Sequence, residues 1–288
     1  MSIFVRVGVS IDGDREAHDR YRLDHRSQST FDRTEQNIRR LVAWAGDEKP
    51  LVPATISVLD CRNDYRRIYA YLRGLGIEQM SFLLPDRNID SGFATREASG
   101  KAYGHSLLEI FEAWLTEDNP DIFVRYIRET LEYFQIVSHE HPDGRIFEAG
   151  SWAAPTGKKL YQIVIVQSDG TVSVNDSYIP ALSWYEKTPV YSVFRNSLRD
   201  FLSDGIFAEI ARVTANLPAE CSACRWKRLC RGGDLENRFS EKNGFDNPSV
   251  YCEAYKTFYH DVCDLLVRNG YPMERVQSQV FARATSSL

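Results

Sequence analysis

Apolar and polar positions recur along this chain with two different periods, and the change of period marks its elements. Phe4 to Ile11 (FVRVGVSI) is β-rich and runs into Asp12-Gly13, which predicts a strand closed by a turn. Phe31, Ile38, Leu41, Val42 and Trp44 fall at partly helical spacing, so a helix is predicted from Thr30, as N-cap, to Gly46. Leu51 to Leu59 is a near-continuous apolar run and reads as a second strand. DYRRIYAYLRGLG reads as a helix closed by Gly74 or Gly76, and Gln79 to Pro85 as a third strand. Strand, helix, strand, helix, strand at this spacing predicts βαβ units with parallel strands. Such strands are expected to be buried on both faces.

Two longer helices follow, roughly 98–115 and 123–137. The segment 138–159 is loop-like and is the candidate domain boundary. Beyond it, 161–176 (YQIVIVQSDGTVSVND) reads as a hairpin turning at Asp169-Gly170. Short helices and loops reach Asn247, and a helix is predicted from Pro248 to Gly270. The last residues are expected to be loosely held. The organisation predicted is 1–150, 151–265 and a C-terminal tail 266–288, of overall α/β class.

Composition narrows the function classes. The 288 residues are 43% hydrophobic and 26% charged, ordinary for a globular protein. A net charge of −5, with Lys and Arg scattered, argues against a general nucleic-acid binder. No apolar run has membrane-spanning length, and no signal peptide is evident, so a cytoplasmic protein is expected.

Six cysteines change the picture more. Cys221, Cys224, Cys230 and Cys252 lie close together in the sequence, whereas Cys61 and Cys263 read as isolated buried thiols. A CxxC turn lets two sulfurs face one ion or cluster corner. Cys252, opening a helix, is the simplest fourth ligand. Both Zn²⁺ and an iron–sulfur cluster accept four thiolates, and spacing does not choose between them.

The run CSACRWKRLCRGGDLENRFSEKNGFDNPSVYC, Cys221 to Cys252, resembles the C-terminal SPASM region of radical S-adenosylmethionine peptide maturases. It is most similar to the group that forms cyclophane-type crosslinks in ribosomal peptides, which carries a like GG…R(F/Y)S…NPSVYC run. VIVQSDGTVSVND and YSVFRNSLRDFL resemble the segment preceding those cysteines. VGVSIDG with the later HDxxR stretch (His18, Asp19, Arg22) resembles the fourth strand of a radical SAM barrel.

The resemblance implies the second half of a (β/α) barrel, then a SPASM-like Cys-rich domain with a β-hairpin. It implies one auxiliary [4Fe–4S] cluster on Cys221, Cys224, Cys230 and Cys252, with zinc as the alternative. A second auxiliary cluster would need cysteines where this chain has Asp234 and, by the hairpin count, Asn175. Radical SAM chemistry needs a CxxxCxxC loop, and the only thiol before Cys221 is Cys61. The chain is therefore expected to begin at the fourth barrel strand and not to cleave S-adenosylmethionine alone.

By the same resemblance, Ser10 and Asp12 would lie near S-adenosylmethionine, although an Asp-Gly turn needs no ligand and is the simpler reading. Asp234, next to the vacated cluster position, is the candidate catalytic base. His18, Asp19 and Arg22 are expected to pair locally. His139, Glu140 and His141 read as an exposed loop rather than a metal site. Arg225 to Arg228 (RWKR) reads as a basic loop beside the cluster.

The expected function is peptide modification by a shortened radical SAM/SPASM protein, with one half of a split enzyme as its first form. A non-catalytic peptide- or partner-binding protein and an inactive remnant are the other readings. The expected partners are a precursor peptide and, at the bare edge of Phe4 to Ile11, a second copy or a chain supplying the missing strands.

Overall fold

The computed structural model describes residues 5–45, 51–91, 100–134 and 164–281. Its first half is a parallel sheet of four strands in the order β1 (Val5–Ser10), β2 (Leu51–Val58), β3 (Gln79–Leu83) and β4 (Phe123–Val124). Registers such as Val9 opposite Thr55 and Thr55 opposite Met80 put Val9, Thr55 and Met80 on one face. The connections are helical: α1 (Arg15–Asp19) and α2 (Phe31–Ala45) after β1, α3 (Tyr65–Gly74) after β2, and α4 (Gly100–Glu117) after β3. Parallel neighbours require such crossovers.

Each helix has a local reason to start. Asp14 caps α1 by accepting from the Ala17 N–H, and Asp64 caps α3 by accepting from Arg67. Thr30, expected to cap α2, sends its hydroxyl to the Arg22 carbonyl instead, and the Ser29 hydroxyl accepts from Phe31. The expected helix at 123–137 is two elements: β4, then α5 (Arg125–Tyr133). A two-residue strand is too short to show a period.

The strands are not buried on both faces. Thr55, Ser57, Met80, Phe82 and Val124 are buried beneath the helices. The opposite face carries Gly8, Ser10 and Ile56, which are exposed, with Ile56 keeping 37% of its surface. This face mixes small residues, Gly8, Ser10 and Ala54, with the apolar Ile56 and Val58, and it is not covered by the helices.

The second half holds an antiparallel sheet of β5 (Val164–Val166), β6 (Thr171–Val174) and β7 (Tyr191–Ser192). The turn lies at Asp169-Gly170 as expected, with Gly170 at φ +80°. Helices α6 (Leu182–Tyr185), α7 (Leu198–Leu202), α8 (Gly205–Ala215) and α9 (Lys227–Cys230) follow. A separate apolar cluster forms here from Val172, Tyr178, Phe201, Phe207, Phe239 and Phe245.

The chain then returns. Helix α10 (Cys252–Arg268) packs along α4, so Tyr255, Phe258 and Val262 join the first core. Gly104 allows this approach, since a Cβ there would stand 2.7 Å from the Ala254 carbonyl oxygen. Where a loosely held end was expected, α11 (Met273–Phe281) buries Val276 and Val280.

The loop after β3 joins the halves. Tyr251 donates to the Pro85 carbonyl at 2.6 Å, Ile89 N–H to Phe239 at 2.9 Å and the Asn237 amide to Arg87 at 2.7 Å. The segment 138–159, with His139, Glu140 and His141, lies outside the described residues.

Candidate metal centre

Three of the four clustered cysteines sit on consecutive tight turns. Cys221 ends a 3₁₀ turn begun after Pro218, and its N–H donates to the Pro218 carbonyl at 2.8 Å. The Cys224 N–H returns to the Cys221 carbonyl at 3.1 Å. Cys230 closes α9, whose N-terminal neighbour Trp226 is buried and anchors the loop in the first core.

Past Cys230 the backbone is left-handed for three residues, Arg231 (φ 53°), Gly232 (φ 85°) and Gly233 (φ 73°). Two glycines make that run tolerable. The bend presses Gly233 against the segment that leads into α10: a Cβ on Gly233 would lie 2.9 Å from the Ser249 Cβ and 3.0 Å from the Tyr255 ring. Cys252 opens α10, its N–H bonded to the Ser249 carbonyl at 2.9 Å. The fourth thiol is thereby brought near enough to the others for their charges to act on one another.

The four thiols sense one another. Burial raises the Cys221 thiol above its ordinary range, and the charges of Cys252 and Cys224 raise it further. Burial pushes Cys230 up to about 12, opposed by an N–H bond from Gly232 and reinforced by Cys252, Cys221 and Cys224. Cys252 is raised by burial, with Lys256 pulling the other way and Glu253 and Cys224 adding to the rise. Raised pKa values keep the Cys221, Cys230 and Cys252 thiols protonated, and a bound cation would offset the repulsion that ionising them together costs. Among the described residues, no group of three or more His, Cys, Asp or Glu side chains is placed to hold a metal ion. No disulfide links any of the six cysteines.

Cys61 and Cys263 stand apart from this set. Burial raises the Cys61 thiol, and its charged and polar neighbours are Asp60, Arg62 and Tyr103. Cys263 is buried in the first core, pushed up to about 12 by burial and by Asp264.

The remaining candidates divide. Asp12 is buried, its carboxylate gripped by Arg22 at 2.6 and 2.9 Å while also accepting the Val58 N–H at 2.9 Å. It locks the ends of β1 and β2 together. Ser10 lies exposed on the open sheet face, opposite Ile56 in register. His18, Asp19 and Arg22 do not pair with one another: His18 bonds Thr30 at 2.9 Å, Asp19 accepts from Ser29 at 2.6 Å, and Arg22 takes Asp12. Asp234 is half-buried at the start of a 3₁₀ turn, near enough to Tyr255 and Tyr259 to raise their phenols, both of which burial raises first. Asn175 is a helix-capping residue, its side chain accepting from Ser177. In the RWKR stretch, Arg225 lies over the Trp226 ring and Lys227 bonds the Ser222 carbonyl, so the loop partly folds on itself.

Residues overlooked from sequence are Gly233 and Arg238. Both stand inside the run that carries the resemblance. Their signal was the GG pair and an Arg among aromatic and small polar residues.

No family model matches the chain. Curated relatives exist at low identity. The cysteine-type anaerobic sulfatase-maturating enzyme of Clostridium novyi (strain NT) is 22% identical over 257 residues, covering 88% of this chain and 63% of that protein. The serine-type enzyme of Bacteroides thetaiotaomicron is 22% identical over 276 residues, covering 89% and 61%. The chain thus spans a little under two thirds of the length of these relatives. Among solved structures, anSMEcpe with bound AdoMet superposes with a TM-score of 0.70 at 21% identity, covering 92% of this chain and 68% of that one. The same protein with AdoMet and the Kp18Cys peptide gives 0.69. The chain is related in sequence to sulfatase-maturating radical SAM/SPASM enzymes, and the structural likeness shows the mixed α/β fold.

Proposed function

We propose that this chain carries the peptide-facing half-barrel and one auxiliary iron–sulfur site of a radical SAM-type modification of ribosomally made peptides. The observation that carries it is that two consecutive turns and the start of α10 bring four thiols near enough to act on one another's charge, in a chain related to radical SAM/SPASM maturases. Cys221, Cys224, Cys230 and Cys252 would hold the cluster. The donor set fits: four thiols, an N–H to one sulfur, and the cations Arg238 and Lys256 nearby. When bound, such a cluster supplies one-electron chemistry or a Lewis-acidic contact.

The protein's own residues would shape the rest. The open sheet face, with Ser10, Ile56 and Gly8, is the surface on which the reacting part of a peptide would rest. The Asp12–Arg22 pair would hold the loop at its mouth. Solved anSMEcpe structures contain a bound peptide, which supports a peptide ligand here. The cyclophane type is supported by the GG…NPSVYC run, and a shared domain plan by the two apolar clusters. β1 is an edge among the described strands, where an added strand could pair.

The 288 residues contain no CxxxCxxC run. Cleavage of S-adenosylmethionine would therefore draw its cluster thiolates from sequence beyond these residues or from a second chain. The test is reductive incubation with S-adenosylmethionine and precursor peptide. The chain alone forms no 5′-deoxyadenosine; supplied with a CxxxCxxC-bearing half-barrel, it modifies the peptide. Turnover by the chain alone, or no peptide modification in the completed system, contradicts the proposal.

A further inference from the structure

Arg238 is only 2% exposed, yet no carboxylate among the described residues forms an ion pair with it; the exposed Asp246 acts on it only from beyond ion-pair distance. Its three hydrogen bonds all go to neutral acceptors. Nε reaches the Phe245 carbonyl at 3.0 Å, and the two terminal nitrogens reach the carbonyls of Val213 and Asn216 at 3.3 Å each. Carbonyl dipoles take three of its five hydrogens, but they do not neutralise a buried unit charge. Such a charge is expensive unless an anion lies near.

The geometry shows where that anion belongs. Asn216 stands just before Leu217-Pro218, whose carbonyl holds the Cys221 N–H. On the other side a Cβ at Gly232 would lie 3.5 Å from a terminal nitrogen of Arg238, and Gly232 is two residues past Cys230. The guanidinium is therefore wedged between the backbone approaching Cys221 and the backbone leaving Cys230. Its charge acts on both thiols, while burial pulls its own pKa below the usual arginine value. Of the other cations here, Arg225, Lys227, Arg228 and Lys256 are exposed, Lys256 already paired with Glu253, and Arg231 is only half-buried. Solvent screens those charges; Arg238 is shielded from it.

Resting on the reading that the four cysteines hold an iron–sulfur cluster, we infer that Arg238 is the buried counter-charge of that metal–thiolate centre and sets its reduction equilibrium. A thiolate-bound cluster is anionic, and reduction adds another negative charge. A fixed cation beside it favours the reduced form. Arg238 is a positioning and tuning residue and need not touch a peptide.

The test compares the wild type with Arg238→Gln and Arg238→Lys, prepared anaerobically. Iron and sulfide content and folding by circular dichroism come first. The midpoint potential is then read by dithionite titration monitored by electron paramagnetic resonance. Arg238→Gln shifts the equilibrium toward the oxidised form by about tenfold, equal to about 59 mV for one electron. Arg238→Lys stays within a few-fold of wild type, because the charge is kept. A loaded, folded Arg238→Gln protein at the wild-type potential overturns the inference. Should Arg238→Gln not fold, Asp246→Asn decides. Asp246 is exposed, holds the Ala219 N–H and opposes Arg238 electrostatically, so its neutralisation shifts the equilibrium about twofold toward the reduced form. An unmoved potential there also overturns the inference. If the wild type instead carries one zinc, the cluster reading falls and the counter-charge is tested by chelator competition. Arg238→Gln then releases zinc about tenfold more readily, and equal release overturns it.

Discussion

Gly233 runs so close to Ser249 that a Cβ on the glycine would stand 2.9 Å from the serine Cβ. This contact brings the turn after Cys230 against the entry to α10, where Cys252 waits. Gly233 also has φ +73°, which disfavours any side chain. Gly233→Ala is therefore expected to lose most of its bound metal and about 1–3 kcal/mol of stability. Metal analysis and urea unfolding check this. Full metal content in Gly233→Ala would show that the close approach does not place Cys252.

The Asp12–Arg22 pair gives an asymmetric prediction. The Asp12 side chain is 7% exposed and that of Arg22 is 28% exposed. Arg22→Met strands a buried carboxylate and should cost about 3 kcal/mol. Asp12→Asn leaves Arg22 with access to water and keeps an acceptor for the Val58 N–H, so about 1 kcal/mol is expected. Urea unfolding at neutral pH measures both. The reverse order would contradict the arrangement.

Asp60 links pH to the loops at the end of β2. Burial alone would raise its pKa, but hydrogen bonds from Arg62 and Arg20 outweigh this and bring it down to about 2. A lowered folded-state pKa favours the folded protein above the unfolded carboxylate range, near pH 4. That contribution fades as pH falls from about 4 through about 2. Arg62 is half exposed, so about 1–2 kcal/mol is expected after screening. Asp60→Asn should be less stable than wild type at pH 7, with the gap closing near pH 2. A gap independent of pH would contradict the pairing.

Much of the parallel sheet could be read from the chain because its strands are apolar runs and its helices are periodic. Leu51 to Val58 and Tyr65 to Gly74 agree with their expected ranges within a residue or two. What escaped was set by tertiary context. β4 is only Phe123–Val124, α11 shows its apolar side at two positions, Val276 and Val280, and the open sheet face differs from a buried one only in small residues such as Gly8 and Ser10. At the candidate site the four cysteines were visible from spacing and resemblance. Arg238 was not, because a buried arginine and an exposed one look alike in sequence until Val213, Asn216 and Phe245 close around it.

The central claim is that Cys221, Cys224, Cys230 and Cys252 hold one iron–sulfur cluster. Iron and acid-labile sulfide, counted per chain in anaerobically prepared protein, test it most directly when paired with Cys252→Ala and Cys61→Ala. The account predicts brown protein with about four irons per chain and broad absorption in the blue, retained in Cys61→Ala and lost in Cys252→Ala. Colourless wild-type protein holding one zinc, or iron retained in full by Cys252→Ala, would contradict it.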